Sequence, residues 1–203
     1  IEFAAMERDG EALIQEVCIY FEYKLYRGNR AYKRSSNEFD AFSSPNYPAL
    51  AESGVRMSLN EDLLWKPVES ILRFQKKVDA SVGVVAFYPG LDFTKVPVLE
   101  DWKVILLRTF GAGNAPNTPA FIDFLQRCEK GGVQIINTSQ CVSGRIVPGL
   151  YDSSSALEQF NTLSAKDMTF ESALVKSMVL LGRNLGRDEF IIKFSESLSG
   201  ECA

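Results

Sequence analysis

The sequence predicts an α/β protein, the end of one α/β domain followed by a parallel-sheet α/β domain, and three observations carry that expectation. Three largely apolar runs, Val82–Tyr88, Lys103–Phe110 and Val133–Ile136, have the length of strands buried on both faces. Segments of helical period lie between and after them, and strands alternating with helices imply a parallel sheet with crossover connections. The residues before Ser81 follow another rule, with short strand signals, prolines and polar loops. We therefore expect residues 1–58 to be the remainder of an N-terminal domain, 59–80 a linker, and 81–203 a C-terminal α/β domain.

Taken in order, Ala4–Gln15 mixes Ala, Met, Leu, Ile and charges in a helical pattern, with Gly10 against it. Val17–Phe21 and Lys24–Tyr26 predict an antiparallel hairpin around Glu22–Tyr23. Asn29–Asn37 is polar, and Phe39–Leu50, with Pro45 and Pro48, is expected to be a loop. Leu59–Ala80 shows no sustained period. After the first buried strand, Asp92–Asp101 is short and partly helical. Phe121, Phe124, Leu125 and Cys128 then share one helix face, with Thr118 as N-cap, Pro119 at the first position and Gly131 past the end. Phe170–Leu181 and Glu189–Leu198 predict two more amphipathic helices. Function in such folds gathers beyond the carboxyl ends of the strands, here Thr109–Pro116 and Thr138–Gly144.

Composition narrows the chemistry. The 203 residues carry 22 Lys+Arg against 26 Asp+Glu, a net charge of −4, which argues against a nucleic-acid or anionic-membrane surface. There is no histidine. Ser-His-Asp and Cys-His machinery and His-based zinc sites are excluded, leaving Lys, carboxylates, Tyr and Ser/Thr/Cys for any catalysis. Cys18, Cys128, Cys141 and Cys202 form no C-x-x-C pair, which points to free thiols in a reducing compartment. No apolar run approaches the ~18 residues of a membrane helix. The first residue is Ile1, with no N-cap ahead of the first helical pattern, which suggests that the sequence continues upstream.

Two segments could carry chemistry. Gly111-Ala112-Gly113-Asn114-Ala115-Pro116 follows a strand and precedes a helix. It reads either as a tight turn requiring glycine or as a cradle of backbone N–H groups, with the Asn114 amide, for a small polar ligand. It lacks the third glycine of a dinucleotide site. Arg27-Gly28-Asn29-Arg30-Ala31-Tyr32-Lys33-Arg34 gathers four cations in eight residues. It reads as a solvated basic loop, as a phosphate patch, or as a setting in which neighbouring Arg charges make Lys33 a proton acceptor near neutrality.

With Phe39-Asp40-Ala41-Phe42-Ser43-Ser44-Pro45-Asn46-Tyr47-Pro48, that basic segment resembles the late N-terminal domain of bacterial type I (cytoplasmic) L-asparaginases. Tyr88-Pro89-Gly90, Leu107-Arg108-Thr109-Phe110-Gly111-Ala112-Gly113-Asn114-Ala115-Pro116, Asn137-Thr138-Ser139-Gln140-Cys141 and Asp167-Met168-Thr169 follow in the family order. The resemblance covers essentially the whole chain. It implies a two-domain asparaginase-like fold, with residues 1–58 the remainder of the catalytic domain. The implied activity is hydrolysis of L-asparagine to L-aspartate and ammonia by a threonine nucleophile, without metal or cofactor, in the cytoplasm.

The resemblance also implies residue roles. Lys33 falls where the family places a lysine that supports a threonine hydroxyl as proton acceptor. Asn114 matches an asparagine that serves the active site of a neighbouring subunit, implying a homodimer or homotetramer. Arg108, Ser139 and Cys141, with Tyr32 bordering them, fall where type I enzymes bind asparagine as an effector, and an arginine suits its carboxylate. Cys141 reads equally as a buried strand-end thiol. Three departures stand out. None of the six threonines is followed by Gly or Asp, so the T-G-G-T and G-T-D-T segments bearing the family's nucleophile and second triad are absent from these residues. Tyr32 stands where Thr is usual, and Ser139 also replaces Thr. Two other readings keep the same motifs: the asparaginase-like subunit of a tRNA-dependent amidotransferase, and a non-catalytic asparagine-binding protein.

Overall fold

A computed structural model describes residues 1–67, 74–147 and 155–203. The chain forms two compact units, one of Ile1–Phe74 with Leu198–Glu201, the other of Gln75–Ser197 with Cys202–Ala203. Residues 68–73 of the expected linker lie outside the described residues.

The first unit is built from hairpins. The helix expected over Ala4–Gln15 is not formed: a 3-10 turn at Phe3–Ala5 leads into an antiparallel pair, β1 (Glu7–Arg8) and β2 (Glu11–Ala12). The reason is local. Asp9 and Gly10 both have positive φ, 55° and 82°, the geometry of a two-residue Asp-Gly hairpin turn. Held inside a helix, Gly10 would cost about 1 kcal/mol relative to alanine. The hairpin expected around Glu22–Tyr23 is present as β3 (Cys18–Phe21) and β4 (Lys24–Arg27), again with both turn residues at positive φ. It continues into β7 (Ala51–Ser53) and β8 (Met57–Leu59), in the order β3-β4-β7-β8. Phe3, Leu25, Leu50 and Ala51 fill its core. The polar segment after Gly28 holds a 3-10 turn at Gly28–Arg30 and then β5 (Tyr32–Lys33), which pairs antiparallel with β6 (Phe42–Ser43). The Phe42 ring packs on Phe21, centroids 5.1 Å apart.

The second unit is the expected parallel sheet. Strands β9 (Val82–Ala86), β10 (Val104–Thr109), β11 (Gln134–Ser139) and β12 (Leu163–Ser164) lie side by side in sequence order, all parallel. The short β12 carries too few residues to announce itself by pattern. Helix α1 (Pro119–Lys130) has the predicted punctuation: the Thr118 hydroxyl accepts from the Phe121 N–H, and Gly131 closes the last turn. Its face of Phe121, Phe124, Leu125 and Cys128 is fully buried against Val85, Ile105, Leu107 and Ile135, with Phe87 and Phe93 completing an aromatic cluster. Burial raises the Cys128 thiol to about 11, so it stays protonated and unreactive at neutral pH. Strand alternation turns Val104, Leu106 and Ile136 to the other face, where α3 (Phe170–Gly182) packs on β9 and β11. Helices α2 (Ser155–Gln159) and α4 (Arg187–Ser195) complete the layers. Among the described residues no helix is long and apolar enough to cross a membrane.

The entry to the sheet carries a pH-sensitive tie. The Lys103 ammonium lies 2.7 Å from the Asp79 carboxylate, which also accepts the Ser81 N–H at 2.9 Å. Lys103 first, then the Ser81 hydroxyl and N–H, hold Asp79 well below the usual carboxylate range. A depressed carboxyl adds stability that is present above its unfolded value of 3.8 and is lost as pH falls toward its folded one. Asp79→Asn is therefore expected to melt slightly below the parent at about pH 6, with a gap that closes between about pH 4 and 2 in thermal melts. A gap independent of pH would show that the tie contributes nothing electrostatic.

Candidate active site

The carboxyl ends of β9, β10 and β11 bring together three of the motifs singled out above, residues 88–90, 107–116 and 137–141. Beyond β10 the chain turns tightly, with paired backbone hydrogen bonds between Phe110 and Asn114 (3.2 and 2.8 Å) and both Gly111 and Gly113 at positive φ. A Cβ on Gly113 would stand 2.9 Å from Asn137 Nδ2 and 3.0 Å from Ile146 Cγ2, so glycine is required there sterically as well as conformationally. Beneath the turn, the Thr109 hydroxyl donates to Asn137 Oδ1 at 2.7 Å, and Asn137 Nδ2 donates to the Gly113 carbonyl at 3.0 Å. All of this network is buried. The N–H groups of Gly113 and Asn114 both donate to the Phe110 carbonyl, so the tight-turn reading holds and these two N–H groups do not form an open anion cradle. The Asn114 side chain lines a pocket of about 590 Å³ with Tyr88-Pro89-Gly90, Phe110, Pro116 and Thr118.

Arg108 closes β10 on the α3 side. It is half-buried, its guanidinium carbon 4.5 Å from the Phe170 ring centroid and its Nε buried without a hydrogen-bond partner among the described residues. The Ser139 hydroxyl donates to the Gly111 carbonyl at 2.6 Å and accepts the Cys141 N–H at 2.9 Å, which ties the end of β11 to the glycine turn. Cys141 is exposed, which removes the buried-thiol reading. Sequence reasoning missed Gln140, whose amide donates to the carbonyls of Phe87 (2.7 Å) and Arg108 (2.8 Å) and so fixes three strand ends relative to one another. It also missed the Thr109–Asn137 pair and Phe170. The polar residues among these lie inside the family motifs, but a side chain that bonds only to protein gives no chemical signature.

In the first unit, Lys33 is exposed, with its Nζ 5.3 Å from the ring centroid of Phe42, its cross-strand partner. Tyr32 beside it is half-buried and pairs with Ser43. The surrounding arginines are not bare cations. Arg27 is ion-paired with Glu16, both nearly inaccessible, and Arg34 meets Asp40 and Glu38. Burial works against the charge on Arg27, but hydrogen bonding and attraction to Glu16 outweigh it and raise the guanidinium further. Arg30 is buried and donates to the carbonyls of Glu201 and Asn46, so the three arginines are paired or turned inward and the phosphate-patch reading falls. Among the described residues no cluster of His, Cys, Asp or Glu could hold a metal ion.

Comparison with known proteins decides the family. Residues 81–191 match the model of the glutaminase/asparaginase C-terminal domain, and residues 2–65 that of the asparaginase N-terminal domain. The chain belongs to the glutaminase/asparaginase family. It is 35% identical over 194 residues to L-asparaginase 1 of Escherichia coli, covering 93% of this chain and 56% of that protein. The crystal structure of L-asparaginase I from Vibrio cholerae superposes with a TM-score of 0.83 at 34% identity, over 94% of this chain and 58% of that one. A glutamyl-tRNA(Gln) amidotransferase component from Thermoplasma volcanium is 32% identical over 180 residues, covering 87% of this chain and 43% of that protein. The chain thus spans little more than half the length of these two asparaginases. Its asparaginase-like α/β fold agrees with the expectation from sequence.

Proposed function

We propose that this chain is part of an L-asparaginase of the type I kind, hydrolysing L-asparagine to L-aspartate and ammonia. The observation that carries this reading is the likeness over more than nine-tenths of the chain to two L-asparaginases, with the 88–90 and 110–116 motifs lining one pocket at the strand ends. A threonine hydroxyl from a T-G-G-T segment, which these residues do not contain, attacks the side-chain amide carbon. The amide nitrogen takes up a proton and leaves as ammonia, and water then cleaves the acyl-threonine ester to release aspartate. Lys33 accepts or stabilises the proton of the second-triad threonine. No metal or cofactor enters this scheme.

Asn114 reaches toward the site of a neighbouring subunit in a homodimer or homotetramer, and its place on an open pocket wall is consistent with that role. The four cysteines are free, which suits the cytoplasm. The likeness to an amidotransferase component keeps a second reading in play, ammonia release for a partner enzyme. Ammonia production from asparagine without any partner separates the two.

The effector reading joins Arg108, Ser139 and Cys141 of the second unit. An Arg108 guanidinium held 4.5 Å from the Phe170 ring centroid, at the end of β10, suits a ligand carboxylate. In an enzyme supplied with the threonine segments, Arg108→Ala is expected to weaken asparagine activation roughly 10- to 100-fold, the loss of one charge-assisted contact, while sparing catalysis. Kinetic titration measures this. A variant that keeps the parent's sigmoidal response, or a parent without one, would make Arg108 purely structural.

A further inference from the structure

The motif residues Arg27, Asn29 and Arg30 are occupied in a way the proposed chemistry does not require. They bind three consecutive backbone carbonyls of one short segment near the carboxyl end of the chain. Asn29 Nδ2 donates to the Ser199 carbonyl at 2.9 Å, Arg27 Nη1 to the Gly200 carbonyl at 3.3 Å, and Arg30 Nη1 to the Glu201 carbonyl at 2.8 Å. The segment is shaped to be read this way. The buried Glu201 carboxylate folds back to accept the N–H groups of Leu198 (3.0 Å) and Ser199 (2.8 Å), closing a compact turn. Gly200 sits at φ +77°, and a Cβ there would stand 2.5 Å from Arg27 Nη1. Only glycine fits.

The arginines pass this anchoring on to the hairpin that carries Lys33. Arg30 is the last residue of the 3-10 turn that leads into β5, and its other terminal nitrogen donates to the Asn46 carbonyl at 3.1 Å, just past β6. Arg27 and Arg30 both lie against the Tyr47 ring, at 4.4 and 5.2 Å, and the Tyr47 hydroxyl donates to the Leu63 carbonyl. One buried guanidinium therefore bridges the carboxyl-terminal turn, the entry to β5 and the exit of β6. A two-residue strand pair has little cohesion of its own, so its geometry depends on such clamps.

We propose that Leu198–Glu201 is a positioning segment for Lys33, acting through Arg30. Without it the β5–β6 pair frays and the ammonium loses its fixed placement over Phe42. The proposal rests on the reading of Lys33 as the proton acceptor, but its mechanical part can be tested without turnover.

Two variants of the 203-residue chain carry the test. Gly200→Ala drives a methyl group into Arg27 and expels the segment; Arg30→Lys keeps the charge and loses the planar fork. In both, the ring-current shift that Phe42 imposes on the Lys33 ε-methylene protons is expected to collapse toward the free-lysine value. Amides of Tyr32–Lys33 and Phe42–Ser43 should exchange ~10-fold faster or more, while those of Ile105–Leu107 keep the parent's protection. Unchanged Lys33 shifts and unchanged β5–β6 exchange in both variants, with the 198–201 amides freed, would overturn the proposal. In an enzyme carrying the threonine segments, Gly200→Ala should lower kcat with little change in KM, as expected when proton transfer rather than binding suffers. If the shifts collapse but Lys33→Met leaves kcat untouched, the mechanical link stands and the catalytic reading of Lys33 is what fails.

Discussion

Lys33→Met, placed in a chain that carries the T-G-G-T and G-T-D-T segments, is expected to lower kcat by ~10²–10⁴-fold, the range spanned by general acid–base groups. Methionine keeps the length and apolar stem of the side chain and removes only the ammonium. The β5–β6 pair, the Phe21–Phe42 contact and the arginine clamps do not depend on that charge. Stability and substrate KM should therefore change little, and the loss should fall on kcat. Steady-state ammonia release with a parallel thermal melt reads both. An unchanged kcat would make Lys33 an exposed member of a basic loop and nothing more.

The second large effect is on stability. Arg27 and Glu16 form an ion pair with both side chains about 5% exposed, and Glu16 also accepts the Trp65 backbone N–H at 2.7 Å. Arg27→Met leaves the Glu16 carboxylate buried without its cation, a loss of about 3–5 kcal/mol. The double variant Arg27→Met/Glu16→Leu should recover much of it, because the penalty comes from the stranded charge rather than from the missing attraction. Urea unfolding followed by Trp65 fluorescence in a Trp102→Phe background reports the first unit, where Trp65 resides. Equal destabilisation in the single and double variants would assign the loss to the contacts with Gly200 and Leu63 instead.

The two halves of the sequence differ in how openly they declare their structure. Strands buried on both faces must be apolar throughout, and a helix laid across them must carry its apolar residues at i, i+3, i+4 and i+7. Val104–Leu107 and Phe121–Cys128 consequently name their elements. In the first unit the strands are two to four residues long and one face is wet, so pattern carries little and turn chemistry decides. Glu22–Tyr23 is recognisable from the strands beside it. Asp9–Gly10 is an equally plain turn signal, but the helix-forming composition around it masks the turn. The site divides in the same way. Lys33, Arg108 and Asn114 stand out because a charged or amide side chain lies in a motif. The buried connections through Gln140, Asn137 and the Gly200 turn exist only where the fold brings distant residues together.

Arg27 and Arg30 show the limit most directly. Four cations in eight residues look like a surface for anions or a local field, yet two of them are almost wholly buried, with backbone carbonyls and one carboxylate as partners. Charge density in sequence does not distinguish a solvated patch from a set of structural clamps, because a partner can lie 171 positions along the chain, as Glu201 does from Arg30.

Ammonia release from L-asparagine by the 203-residue chain, alone and joined to the family's threonine-bearing segments, bears most directly on the account. The chain alone is expected to match a blank, since no threonine in it stands in either motif. The joined protein is expected to release one ammonia for each aspartate formed, with no partner enzyme present. Sustained release by the 203 residues alone, or a folded joined protein that releases none, would contradict the proposal that this chain works as part of an L-asparaginase whose nucleophile comes from those threonine-bearing segments.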